Sequence, residues 1–390
     1  MITREEIREL AQFQPNGKDA CLLSFYFQPH TPRNKSHRED AILAKDLVRQ
    51  ALREAEKEGK NGCARSDLDR ILAIAEDLRG NQARAKAIFA CGANNFWREF
   101  DLPPQLPGTQ VFVNRRFHLK PLALLLGAQP MVSVVVIDRQ RARFFDLRLD
   151  ELHEREGWFR ALPRRRSDGF AGYHGGHTER RVANEAMHHF KAVADHLMAD
   201  AEKGVYQKLV VGCLDTNWSE FESHLHPYVK QRLIGHFSSD VPSAREDAIQ
   251  QRGIALLLEW QTQRRADMLR ETLDQARANG RGATGLRRVL RSLEQGEIQT
   301  LFLGENYVAR AVECTNCGYI DAHVVTFCAV CGHPTREMDD VCEALIPKAI
   351  RQDLELFYVS DPELDRVGNI AALLRFRADQ NISDRLRTAV

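Results

Sequence analysis

Two matching knuckles, Cys314-Thr315-Asn316-Cys317-Gly318 and Cys328-Ala329-Val330-Cys331-Gly332, constrain this chain more than any other feature. Each presents two thiolates to one side of a tight turn. The glycine that follows lets the backbone turn back so that amides point at sulfur. Two such knuckles complete a tetrahedral four-sulfur site with no position left open for water. Cys314, Cys317, Cys328 and Cys331 are therefore expected to hold a structural rather than a catalytic Zn2+. Nine cysteines, four of them in this pattern and an odd number left over, fit a reducing compartment better than a disulfide framework.

At 390 residues the chain exceeds one ordinary core, and three domains are expected, spanning 1–128, 129–238 and 239–390. All three read as α/β. The first has an amphipathic helix over Arg4 to Gln12, a buried-type strand over Cys21 to Phe27, helices over Glu39 to Glu58 and Ser66 to Leu78, and strands at Ala87–Cys91 and Gln110–Val113. The second opens on the apolar run Met131 to Ile137, which pairs with Ala142 to Leu147 across a turn; a helix follows from about Val182 to Leu197. A strand over Lys208 to Leu214 comes next, then a helix begun by Asn217 with Glu220 three residues on. Ser243 is expected to cap a long helix reaching Ala278, the start of a third alternation of helices and strands ending near Phe376.

Between the second domain's hairpin and its helix lies Gly172-Tyr173-His174-Gly175-Gly176-His177-Thr178-Glu179-Arg180-Arg181. Adjacent glycines remove two Cβ atoms, so the amides of Gly176 and His177 are open to a ligand that other residues would hold off. Arg160, Arg164, Arg165 and Arg166 lie upstream and Arg180, Arg181 and Lys191 downstream, against only Asp168, Glu179 and Glu185 in the same stretch. The formal charge of the whole chain is only +1, so any polyanion contact comes from local patches such as this one.

An arginine-rich loop, a Gly-Gly tip, then Arg-Arg and a long helix resemble the catalytic loop of archaeo-eukaryotic class-I peptide release factors and their Pelota-type relatives. In the release factors the tip reads Gly-Gly-Gln. Here His177 stands at the glutamine position, which places the chain with divergent bacterial members. The resemblance implies a ribonuclease-H-like middle domain and a zinc ribbon inserted in the third domain at about 312–334, as in archaeal members. It further implies action on the ribosome, with peptidyl-tRNA and ribosomal RNA as partners and a translational GTPase as a further one. Gly175, Gly176 and His177 would promote hydrolysis of the peptidyl-tRNA ester, the His177 amide donating to the developing oxyanion or the leaving ribose oxygen. Arg164, Arg165, Arg166, Arg180 and Arg181 would hold RNA phosphates.

Arg33-Asn34-Lys35-Ser36 is similar to the Asn-Ile-Lys-Ser tetrapeptide with which that family reads stop codons, but it lacks the isoleucine and precedes a helix as an ordinary polar turn. Rescue of stalled ribosomes is thus expected rather than ordinary termination. A tRNA-cleaving nuclease using His174 and His177, and a non-catalytic ribosome-binding adaptor, are the alternatives. Asp138 and Asp215, at strand ends, read as turn formers, and His188, His189 and His196 as solvated or stacking side chains. The charged N-terminus and the lack of any apolar run of roughly 20 residues point to a cytoplasmic protein without membrane contact.

Overall fold

Thr3 starts the first helix, α1 (Arg4–Gln12), through a reciprocal cap. Its hydroxyl accepts from the Glu6 amide at 3.2 Å, while the Glu6 carboxylate accepts from the Thr3 amide at 2.7 Å. Ile7 and Leu10 are thereby turned into the core. The computed structural model describes residues 2–15, 21–29, 38–57, 61–77, 85–102, 108–126, 130–148, 151–159 and 175–378. These form two compact units, one from Met1–Ala128 with Asp267–Val390, the other from Gln129–Ala266.

The first part of the first unit continues with β1 (Leu22–Phe27), α2 (Arg38–Lys57), α3 (Asn61–Asp77), β2 (Ala85–Cys91), β3 (Phe96–Leu102), β4 (Gln110–Asn114) and α4 (Lys120–Leu126). Its antiparallel sheet runs β3-β2-β1-β4, with Phe25 opposite both Ile88 and Val111. A run apolar but for Ser24 makes β1 buried along its whole length. Leu23, Phe25 and Phe27 face Val48, Leu68 and Ile71 of α2 and α3. α3 begins at Asn61, before the expected Ser66, while β3 and α4 were not expected at all. β3 is an edge strand that carries Arg98, Glu99 and Asp101, charges that hide a strand from a hydrophobicity reading. Cys21 is disulfide-bonded, whereas the cysteine count favours a reducing compartment over a disulfide framework.

The second unit comprises β5 (Val132–Ile137), β6 (Arg141–Arg148), β7 (Glu151–Phe159), α5 (Gly175–Glu202), β8 (Lys208–Cys213), α6 (Asp215–His224), α7 (Pro227–Lys230), β9 (Leu233–Phe237) and the start of α8 (Glu246–Arg277). Its sheet runs β7-β6-β5-β8-β9, antiparallel on the β7 side and parallel from β5 to β9. The expected β5–β6 hairpin is present. β5 is covered on both faces: Val135 and Ile137 meet Phe190, Val193 and Leu197 of α5, while Val134 and Val136 share a core with Ile249 and Leu257 of α8. Ser243 does not cap α8, which begins at Glu246; its hydroxyl donates to the Asp240 carbonyl at 3.3 Å instead.

The rest of the first unit holds β10 (Gly282–Thr284), α9 (Leu286–Glu294), β11 (Ile298–Gly304), β12 (Ala311–Cys314), β13 (Ile320–Asp321), β14 (Thr335–Met338), α10 (Cys342–Arg351), β15 (Glu355–Val359), α11 (Pro362–Arg366) and β16 (Ile370–Leu374). One sheet runs β10-β16-β11-β15 and a small one β13-β12-β14. Leu301, Leu303, Leu345 and Ile346 lie in the same buried cluster as Leu22, Tyr26, Phe89 and Leu122, so the two ends of the chain share one core. Gly282 is a forced glycine: a Cβ there would sit 2.2 Å from the Thr272 carbonyl oxygen and 2.3 Å from the Ala276 nitrogen of α8. The mixed α/β class is as expected. No helix among the described residues is long and apolar enough to cross a membrane.

Candidate functional site

β7 leads toward the basic stretch, and α5 leads away from it. Arg164, Arg165 and Arg166, with Gly172 to His174, lie outside the described residues, as does Arg33 to Ser36. Gly175, Gly176 and His177 are the first three residues of α5, which therefore starts seven residues before the expected Val182. The glycine pair accordingly lies in the first turn of that helix. Glu179, Arg180 and Arg181 are good helix formers and extend the helix backward, and the glycines end that extension cheaply in a turn whose amides have no intrahelical acceptor. Those amides, with the positive end of the helix dipole, suit a negatively charged or developing oxyanion group. The side chains of His177, Arg180 and Arg181 are not among those described.

α5 is anchored along the sheet by an ion-pair group. Arg155 of β7 lies 2.9 Å from Asp146 of β6 and 2.9 Å from Asp200 of α5, and donates to Ser133 Oγ at 3.0 Å. One turn earlier on α5, His196 Nε2 lies 2.6 Å from Glu156 Oε1, and its ring centroid is 4.6 Å from Trp158 and 5.0 Å from Phe144. His196 is thus a stacking histidine, as expected. His188 is exposed and its neighbour His189 buried, as the 100° step of a helix dictates, so the two do not converge on one ion.

At the ends of β5 and β8 the two aspartates do not form a metal-binding pair. Asp138 Oδ1 accepts from the Gln140 and Arg141 amides, both at 2.7 Å, and so closes the β5–β6 turn. Asp215 opens α6, two residues before the expected Asn217; that residue instead accepts from Arg139 Nε at 3.1 Å. Burial, assisted by Asp138 and Asp215, pushes the Cys213 thiol up to about 12, so it stays protonated and is no nucleophile at neutral pH.

The four knuckle cysteines converge as their spacing requires, with their sulfurs all within 4.8 Å of one another. The Cys314–Cys331, Cys317–Cys331 and Cys317–Cys328 sulfurs are 3.3, 3.4 and 3.7 Å apart. A tetrahedron with metal–sulfur bonds of about 2.3 Å has edges of about 3.8 Å, so the set is already close to the size a zinc ion needs. The amides of Asn316 and Cys317 donate to Cys314 Sγ, and that of Val330 to Cys328 Sγ, each at 3.4 Å. Gly318 (φ 69°) and Gly332 (φ 70°) take the left-handed conformation that closes each knuckle. These four cysteines can hold a metal ion, and among the described residues no other group of three or more potential ligands comes together.

One cationic group was invisible in the sequence. Lys208, Arg232 and Arg264 gather around Tyr228 and Trp260 in the second unit, drawn from β8, α7, the approach to β9 and α8. Residues so dispersed leave no local motif.

Residues 118–256 match a family model described as bacterial archaeo-eukaryotic release factor family 10. The chain is 23% identical over 310 residues to peptide chain release factor subunit 1 of Pyrococcus abyssi, covering 71% of this chain and 74% of that protein. Among solved structures, an archaeal translation termination factor aligns with 96% of this chain and 99% of its own length, at 18% identity and a TM-score of 0.27. An archaeal Pelota, in a model of its ribosome-bound form with ABCE1, aligns with 75% of this chain and 78% of its own, at 17% identity and a TM-score of 0.40.

Proposed function

We propose, on the premise that this chain belongs to the superfamily of archaeo-eukaryotic release factors and Pelota proteins, that it acts on the ribosome and promotes peptidyl-tRNA ester hydrolysis. The observation that carries this reading is the family match over residues 118–256, which takes in the Gly175-Gly176-His177 start of α5. In this reading the middle part of the chain is the ribonuclease-H-like domain of the superfamily. Segments 1–128, 129–238 and 239–390 are its three functional parts.

The chemistry follows from backbone rather than side chain. Gly175 and Gly176 present amides with no Cβ in the way, so the chain can lie beside the terminal adenosine of tRNA, and the His177 amide donates to the oxygen on which charge develops. A backbone donor survives the exchange of glutamine for histidine. The side-chain contribution does not survive it, since an imidazole is shorter in reach and differently shaped than a glutamine amide. Arg164, Arg165, Arg166, Arg180 and Arg181 hold the phosphates of tRNA or ribosomal RNA.

Arg33 to Ser36 lacks the isoleucine of the codon-reading tetrapeptide, which favours rescue of stalled ribosomes over termination, in the cytoplasm and with a translational GTPase as partner. The four cysteines bind Zn2+ in a ribbon over about 312–334, a closed site that stabilises the fold and takes no part in catalysis.

Purified stalled ribosomes carrying a nascent chain test the proposal, with wild type compared to Gly175→Ala/Gly176→Ala. Peptide release by wild type alone, with full-length tRNA, supports it. Shortened tRNA would instead identify a nuclease, and binding without either product an adaptor.

A further inference from the structure

The second unit carries a cationic and aromatic group at the end of its sheet opposite the start of α5. Lys208 opens β8 and pairs in register with Val132 at the start of β5, whereas Phe159, from which the chain leaves toward the glycine pair, pairs with Arg141 at the other end. α5 spans 28 residues between these ends, about 42 Å at 1.5 Å per residue.

Here the Lys208 ammonium stands 4.6 Å from the ring centre of Trp260, and the Arg264 guanidinium, one turn along α8, is 5.6 Å from the same ring. Arg232 lies 4.4 Å over Tyr228 and donates to the Tyr206 carbonyl at 2.6 Å and to the Tyr228 hydroxyl. Tyr228 is 40% exposed. Burial first, and then the nearby Arg264 and Arg232, hold the Lys208 ammonium below the usual lysine range, so Lys208 stands in the repulsive field of two guanidinium groups. An arriving anion offsets that field at Lys208. Arg232 is already fixed in direction by the carbonyl and the phenol, so little freedom is lost when it takes a phosphate. Cations that track a backbone, alternating with rings on which bases stack, are the recognition set for single-stranded nucleic acid.

We propose that Lys208, Arg232 and Arg264, with the rings of Tyr228 and Trp260, form a second contact for single-stranded RNA. The cations take adjacent phosphates, and one base stacks on the open side of Tyr228. This contact does not require the glycine pair to be catalytic.

The test uses the full chain and an end-labelled oligouridylate of about a dozen nucleotides, followed by fluorescence anisotropy over a range of salt concentrations. Lys208→Gln/Arg264→Gln is expected to weaken binding about tenfold and to lower the slope of log affinity against log salt by about 1.4, the value for two lost phosphate contacts on a single strand. Tyr228→Ala is expected to weaken binding by a similar factor, about tenfold, and Tyr228→Phe to weaken it by less, because the ring is kept while the phenol that helps to orient Arg232 is lost. Arg232 also supports main chain, so its part is read on wild type, by photocrosslinking a thiouridine-bearing oligonucleotide and mapping the adduct. An adduct at Tyr228 or Trp260 supports the contact, and its persistence in Gly175→Ala/Gly176→Ala, whatever that variant does to peptide release, separates it from the proposed catalytic role. Wild-type affinity and salt slope in folded Lys208→Gln/Arg264→Gln and Tyr228→Ala, with adducts confined to residues 160–181, would overturn it.

Discussion

Arg155 Nη1 lies 2.9 Å from Asp200 Oδ2, tying the edge strand β7 to α5 near the helix end farthest from Gly175. Asp200 is 5% exposed, and Arg155 also holds Asp146 and Ser133. The direction in which α5 projects its first turn therefore depends on this group. Asp200→Ala is expected to destabilise the chain by about 2 kcal/mol, below the full cost of breaking a buried pair because Arg155 keeps Asp146. Urea unfolding measures it, and a combined Arg155→Met/Asp200→Leu change should cost less than the sum of the two single changes.

His118 supplies a pH dependence in the first unit. Burial, with Lys120 nearby, lowers its pKa from the ordinary 6.5 to about 4, and its ring stacks on Phe112 at 3.7 Å. Below pH 6.5 the unfolded chain takes up a proton that the folded chain refuses. The stability from neutral His118 is thus complete above about pH 6.5 and lost as pH falls toward 4, a deficit of about 2 kcal/mol at pH 5. Thermal unfolding at both ends of that range should show the loss in wild type and a smaller one in His118→Phe.

On the proposed zinc assignment, removing the metal should loosen the cysteine module. Wild type is expected to carry about one zinc per chain, and Cys328→Ser to carry less and melt lower. Metal analysis beside calorimetry checks this, and chelation of wild type should reproduce the variant's melting temperature.

Two glycines separate backbone clashes from side-chain ones. At Gly212 a Cβ meets the ring of Phe237 at 2.8 Å, which can shift; at Gly282 it meets main-chain atoms of α8 at 2.2 and 2.3 Å, which cannot. Gly212→Ala should cost about 1 kcal/mol and Gly282→Ala about 3 kcal/mol, as denaturant midpoints will show.

The mostly apolar strands β1, β5 and β8 were legible because burial on both faces leaves a signal broken only by Ser24, Ser133 and the leading Lys208. β3, β7 and β9 escaped because edge strands alternate or carry charge, and β7 bears His153, Glu154, Arg155 and Glu156 in sequence. The knuckles were legible because four sulfurs at fixed spacing admit few arrangements. Helix starts were misplaced at Gly175 and Asp215, where a glycine and an uncapped Leu214 begin helices that cap rules set later. The Lys208–Trp260–Arg232 group was beyond reach, since only the register of β8 and β9 and the packing of α8 bring those residues together.

The core shared by the two chain ends also sets the order of events during synthesis. Leu22, Tyr26 and Phe89 cannot be fully covered until Leu301, Leu345 and Leu374 have been made. At about 5–20 residues per second that is a wait of roughly 10–60 s, in which the second unit is synthesised while the first half of the other exposes apolar surface. The amino-terminal segment is therefore the part that must carry uncovered apolar surface longest while the ribosome is still at work on the chain.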